Sequence, residues 1–226
     1  IYHWREASHE QLMKNVRKSF ELYRESLPDH RRLLLDRFTL LDIAIKVVGV
    51  GSVGTLCAIV LLMADEDDPL FLQVKEARPS VLEAFAGKSA YDNHGQRVVV
   101  GYQLMQSASD MFLGWTRGEH GRDFYLRQLR DMKVSASIET YDNTLLVEYA
   151  ATCGEVLARA HAKSSGRAPE ISGYIGKSDA VPDAMVRYAH AYAEQAERDF
   201  EAFRTACQNG TLPVRSDEEF LLDVTA

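Results

Sequence analysis

The chain has 226 residues, 46% of them hydrophobic and 26% charged, which supplies enough apolar material for a sizeable core. A net charge of -7 sets it against a nucleic-acid partner, because neutralising phosphates takes concentrated Lys and Arg. The longest apolar run, 55–63, is about half of the ~20 residues that a membrane span needs, so no membrane partner is expected.

The elements read as follows in chain order. Ser8 with Gln11 predicts a capping box, and Leu12, Val16, Phe20 and Leu27 then recur at helical spacing until Pro28 closes the segment. A short helical turn is expected over 31–38. Being polar on most faces, the stretch 1–38 reads as an appended helical segment. Residues 43–50 are apolar and β-branched, and 55–63 form a second apolar run; between them stands Gly49-Val50-Gly51-Ser52-Val53-Gly54. The acidic stretch 64–69 reads as a turn, and 70–77 as a strand that ends on Lys75-Glu76. A short helix is expected from Ser80 to about Gly87. Residues 97–106 and 124–132 read as two further strands, with a glycine-rich connection between them at 115–121.

From Tyr141 onward the pattern turns helical. Leu145, Leu146, Tyr149, Cys153, Val156, Leu157 and Ala160 mark one buried helix stripe. Residues 164–176 read as a Gly/Pro/Ser loop. Met185, Tyr188, Tyr192, Ala196, Phe200 and Phe203 mark a second long helix, closed by Asn209-Gly210. The three cysteines, Cys57, Cys153 and Cys207, are far apart and form no CxxC pair, which fits a reducing, cytoplasmic compartment. The seven histidines make no metal-ligand pattern, and His161 reads as structural.

The candidate chemistry centres on the GxGxxG string. Glycines at this spacing let main chain approach phosphate oxygens closely and present its N–H groups. Three architectures fit the string alone. A dinucleotide-binding unit opens a helix on the last glycine and places an acid about 20 positions on, where Glu76 stands. A kinase-like lobe joins two antiparallel strands through the loop and sets a lysine on the third, where Lys75 stands. A purely structural turn is the third. The run 55–63 has no polar helical face, which suits a strand and hairpin.

Lys75 is therefore the candidate phosphate-side cation beside Gly49, Gly51, Ser52 and Gly54. Glu83, on the expected short helix, is the candidate partner that orients it; the same carboxylate also fits a capping box with Ser80. Arg130 and Met132 lie where strand passes into helix, the position of a hinge whose backbone reads an adenine edge.

The stretches KVVGVGSVGT (46–55), PLFLQVKEA (69–77), SDMFLGW (109–115), FYLRQLRDMK (124–133) and LARAHA (157–162) resemble the bacterial family called domain of unknown function 2252 over about 42–200. The resemblance implies a protein-kinase-like, aminoglycoside-phosphotransferase-like fold, with ATP as ligand and Mg²⁺ where other residues supply its ligands. It also implies a Gly-Asp-x-His-x-x-Asn-Phe-Gly stretch and an Asn-Asp-Phe-Asp-Glu stretch ahead of the glycine loop. Neither occurs in this sequence.

The expectation is thus an α+β chain in a kinase-like two-lobe arrangement, incomplete without an upstream segment. It would comprise a leading helical segment (1–38), an antiparallel-sheet lobe (39–137) and a helical lobe (138–226). Its function would be the nucleotide-binding part of a phosphotransferase of unknown acceptor, with no catalytic residue and no metal ligand of its own. An upstream segment of the same protein or a second chain is the expected partner. The alternatives are a non-catalytic, pseudokinase-like binding or regulatory module, and a dinucleotide-binding oxidoreductase domain.

Overall fold

The computed structural model describes residues 6–46, 54–129 and 135–214. The chain divides into two compact units, Ile1–Ser164 and Ser165–Ala226.

The first unit is built on one five-stranded antiparallel sheet: β1 (Thr39–Ile45), β2 (Cys57–Met63), β3 (Pro69–Ala77), β4 (Gly114–Arg117) and β5 (Asp123–Gln128), in the order β1-β2-β3-β5-β4. The run after Gly54 is therefore a strand. It pairs back onto β1 from Ile45↔Ala58 to Thr39↔Met63, so the segment that holds the glycines is the connection of a hairpin. Alternation along each strand gives the sheet two different faces. Val60, Leu62, Leu70, Leu72 and Leu126 turn to one side and are buried.

That side is covered by α1 (Glu6–Ser26) and α2 (Asp29–Leu35), whose Tyr23, Leu27 and Leu35 enter the same core. The leading helix is thus a core element and no appendage, and it starts early enough that Ser8 lies inside it. The Tyr23 hydroxyl donates to the Phe112 carbonyl at 2.7 Å, and the Thr116 hydroxyl to Ser19 O at 2.5 Å. The Trp115 N–H donates to Ser26 Oγ at 3.0 Å. Contact here is so close that a Cβ on Gly114 would meet Ser26, Tyr23 and Leu27 side-chain atoms at 2.7–2.9 Å.

The opposite face carries α4 (His94–Met105), packed against β3, β4 and β5; α3 (Glu83–Ala86) is a single exposed turn before it. The strand expected at 97–106 is this helix. Val98, Val99 and Val100 read as β-branched strand, but Asn93 caps the helix by accepting from Gln96 N at 3.0 Å, and Val99 is fully buried beneath it. Asp123 fixes the same end, accepting from His94 N at 2.9 Å and Arg117 Nε at 2.7 Å. Gly95 is required, since a Cβ there would stand 2.1 Å from the Phe124 carbonyl oxygen. A second departure is β4, which lies in the stretch expected as a glycine-rich connection.

Helix α5 (Asn143–Ser165) ends this unit, and its Lys163 Nζ donates to the Gln103 and Gln106 carbonyls at 2.9 and 2.6 Å, satisfying the last turn of α4. The apolar stripe on α5 exists, but only Ala160 in it is buried; Leu145, Leu146, Val156 and Leu157 are exposed. In the second unit, α6 (Ala168–Ile175) occupies most of the expected loop, with its proline in the first turn, where a missing N–H is harmless. The long helix α7 (Ala180–Gln208) stops at Asn209 as expected, and its Met185, Tyr188, Tyr192, Phe200 and Phe203 are exposed. No described helix is long and apolar enough to cross a membrane.

Candidate functional site

Lys75 lies near the end of β3, directly opposite Cys57 of β2 and Tyr125 of β5. Opposed residues of an antiparallel pair share a face, so Lys75, Cys57, Tyr125, Gln73 and Arg127 all project from the side away from the leucine core. This is also the sheet end at which the glycine-bearing connection enters β2.

The charges on this face converge on the Cys57 thiol. Burial pushes that thiol up, and the cations of Lys75, Lys46 and Arg127, with a hydrogen bond from Gln73, pull the other way. Lys46 follows β1 and is tied in by its own N–H, which donates to Cys57 O at 2.9 Å. Three cations, from β3, β5 and the residue after β1, thus act on the charge of one small buried residue. Cations gathered in partly desolvated surroundings favour an anionic ligand.

Gln73 organises the neighbouring part. Its side chain is buried, and its Oε1 accepts from Arg127 Nε at 3.1 Å and Nη2 at 3.0 Å, while its Nε2 donates to Cys57 Sγ at 3.6 Å. The amide thereby sets the direction of the guanidinium. Beyond it opens a cavity of about 380 Å³, lined among others by Gln73, Tyr102, Gln106, Asp110, Arg127 and Leu129. Tyr102 of α4 stands over Tyr125, their ring centroids 6.3 Å apart. Burial first, then Tyr102, pushes the Tyr125 phenol up to about 12, so it remains a neutral donor at physiological pH.

The far limb of the glycine connection is pinned to β3 by Glu76, on the other face. Its Oε2 accepts from Leu56 N at 2.9 Å and its Oε1 from Arg78 Nε at 2.9 Å, and Arg78 also donates to the Gly54 carbonyl. Burial opposes the Glu76 charge, but the Arg78 and Leu56 hydrogen bonds outweigh it and hold the carboxyl below its ordinary range. Gly54 itself sits at φ +76°, in the left-handed region that glycine tolerates.

Of the residues singled out from sequence, Gly54 and Lys75 come to the same end of the sheet. Glu83 lies on α3, makes no ion pair with Lys75, and has its Oε1 buried with no hydrogen-bond partner among the described residues. The expected capping box is replaced by bonds from Glu83 N to Ser80 O at 3.0 Å and from Leu82 N to Ser80 Oγ at 3.3 Å. Gly49, Gly51, Ser52, Arg130 and Met132 lie outside the described residues. Sequence reasoning missed Gln73, Arg127 and Asp110. Gln73 alone left a trace, a polar residue inside the otherwise apolar Phe71-Leu72-Gln73-Val74. Among the described residues no three His, Cys, Asp or Glu side chains gather as a metal site.

The fold and this face together define an α+β protein whose central antiparallel sheet carries a cation-bearing surface beside a glycine hairpin. Residues 3–206 match the family described as "uncharacterized protein conserved in bacteria (DUF2252)", and the chain belongs to that family. No curated protein and no solved structure matches the chain.

Proposed function

We propose that this chain is the nucleotide-binding part of a kinase-like phosphotransferase, with an antiparallel-sheet lobe followed by a helical lobe. One observation carries the reading: Lys75 projects from the third strand at the end of the sheet where the glycine-bearing hairpin closes. That is the relation between lysine and glycine loop by which such proteins hold a triphosphate. A strand order with the loop between the first two strands, and a helix between the third and fourth, is compatible with it. A dinucleotide unit would need a helix after Gly54, and a strand stands there.

In this reading Lys75 neutralises phosphate charge, and Glu76 with Arg78 anchors the β2 end of the glycine connection. Phosphoryl transfer is mostly positioning and charge stabilisation. Mg²⁺ would supply the remaining charge neutralisation. Its ligands and the catalytic base would come from residues beyond those described, from an upstream segment or a second chain.

A specific observation favours a second reading, the non-catalytic module. The helix packed on the Lys75 face, α4, contains no Asp or Glu, so it cannot provide the lysine–glutamate ion pair that active kinases assemble. Thermal unfolding with Mg²⁺ and ATP or GTP in turn tests the shared core of both readings. At ~100 Kd, binding stabilises by about 2.7 kcal/mol, and Lys75→Met reduces the shift. No shift with either nucleotide overturns nucleotide binding. Steady hydrolysis by this chain alone, lost in Lys75→Met, overturns the assignment of catalysis to residues elsewhere.

A further inference from the structure

The cavity that Gln73 and Arg127 line has a donor–acceptor pattern of its own. On one wall Gln73 holds Arg127 through two of the five N–H donors that a guanidinium carries, which leaves further N–H groups for a ligand in the cavity Arg127 lines. Asp110 supplies the opposite chemistry. Its Oδ1 accepts from Phe112 N at 2.7 Å and its Oδ2 from Gln128 N at 2.9 Å, which fixes the carboxylate while each oxygen keeps a second acceptor site. Leu113 and Leu129 line it with apolar surface and Tyr102 with a ring. With two leucines, a ring and several fixed polar groups around about 380 Å³, the cavity has room for a small planar ligand and the means to orient it.

Gln73 is two residues from Lys75 along β3, about 7 Å at strand rise. A nucleotide with phosphates at Lys75 therefore reaches the cavity with its base. Adenine and guanine are distinguished there by charge pattern. Guanine offers O6 and N7 as adjacent acceptors, the pair that an arginine fork grips most often, and N1–H and the N2 amino group as adjacent donors for a carboxylate. Adenine places its N6 amino donor where O6 would be, against the cation.

We infer that this cavity is the base subsite of the nucleotide proposed above and that it selects guanine over adenine, with Arg127 reading O6 and N7 and Asp110 reading N1–H and N2. The inference rests on the nucleotide reading, since it needs phosphates at Lys75. Arg127 and Asp110 are specificity-determining, while Gln73 acts through Arg127 and is a positioning residue.

Calorimetric titration of the full chain with the magnesium forms of GTP, ITP and ATP tests it. GTP should bind about tenfold or more tightly than ATP, the scale of one bidentate contact. ITP, which keeps O6 and N1–H but lacks the N2 amino group, should fall between them, and this arm needs no variant. Arg127→Gln should lower the GTP/ATP ratio several-fold, leaving only the part that Asp110 reads. Arg127→Lys, which keeps the charge without the fork, should lower it as well. Lys75→Met should weaken both nucleotides and leave the ratio unchanged. Equal binding of GTP and ATP, or tighter ATP, overturns guanine selection, and a ratio that survives both Arg127 changes overturns its assignment to Arg127, while nucleotide binding stands in each case. Failure of all three nucleotides to bind overturns both.

Discussion

The two faces of the sheet are made from alternate residues of the same strands and do opposite things. The face that meets α1 and α2 is closed: Leu62, Leu72 and Tyr23 are fully buried, and β4 approaches α1 closely enough to require Gly114. The face that meets α4 carries Lys75, Arg127, Gln73, Cys57 and Tyr125, with a cavity beside them. Period-two alternation puts Leu72, Val74 and Glu76 on one side and Gln73 and Lys75 on the other. The lesson is that stability and recognition are divided between faces, so changes on the closed face act on folding and changes on the open face act on ligands.

The largest expected effect that sharpens this contrast is Leu72→Ala. It removes a side chain with no exposed surface from the centre of the leucine core, and the void should cost about 2–5 kcal/mol. Chemical denaturation checks it; a loss under about 1 kcal/mol would mean the closed face is not the core. Tyr23→Phe comes next. Burial, and then the Asp110 charge, push the Tyr23 phenol far up, so its hydroxyl stays a donor to the Phe112 carbonyl. Deleting it leaves a buried acceptor unpaired, for a loss of about 1–2 kcal/mol by the same measurement. Neither change removes a group that faces the cavity.

Much of the closed face was legible in sequence. A glycine string between two β-branched apolar runs implied a hairpin, and the 70–77 run implied the third strand, because turn chemistry and alternation are local signals. The helix at 94–105 was not legible, since its three consecutive valines favour strand and only the Asn93 cap and tertiary packing decide otherwise. Helical periodicity located the apolar stripes of α5 and α7 but says nothing of what covers them, and most of those residues are exposed. At the site, the spacing from Gly54 pointed to Lys75. Gln73 and Arg127 meet across 54 residues of sequence through the β3–β5 register, and Asp110 arrives from the loop before β4. Proximity of that kind leaves no mark at short range.

The smallest expected effect tests where the faces join. Glu76 projects on the closed side, yet it holds the end of the glycine connection through Leu56 N and through Arg78, which in turn reaches Gly54 O and receives Arg97 Nη2 on its own carbonyl at 2.9 Å. Its carboxyl is held below the ordinary range, so the folded state binds this proton less readily than the unfolded chain does. The stabilisation is therefore complete above the unfolded value of about 4.3 and disappears as pH falls through the lower folded value. Glu76→Gln, which puts an amide where two donors converge, should lower stability by under about 1 kcal/mol near pH 7. Comparing native and variant unfolding at each pH cancels the other carboxylates. The gap should close as pH falls through the lowered folded value; a gap that stays constant into acid would mean that Glu76 acts by shape alone, and its charge would then play no part in fastening the hairpin to β3.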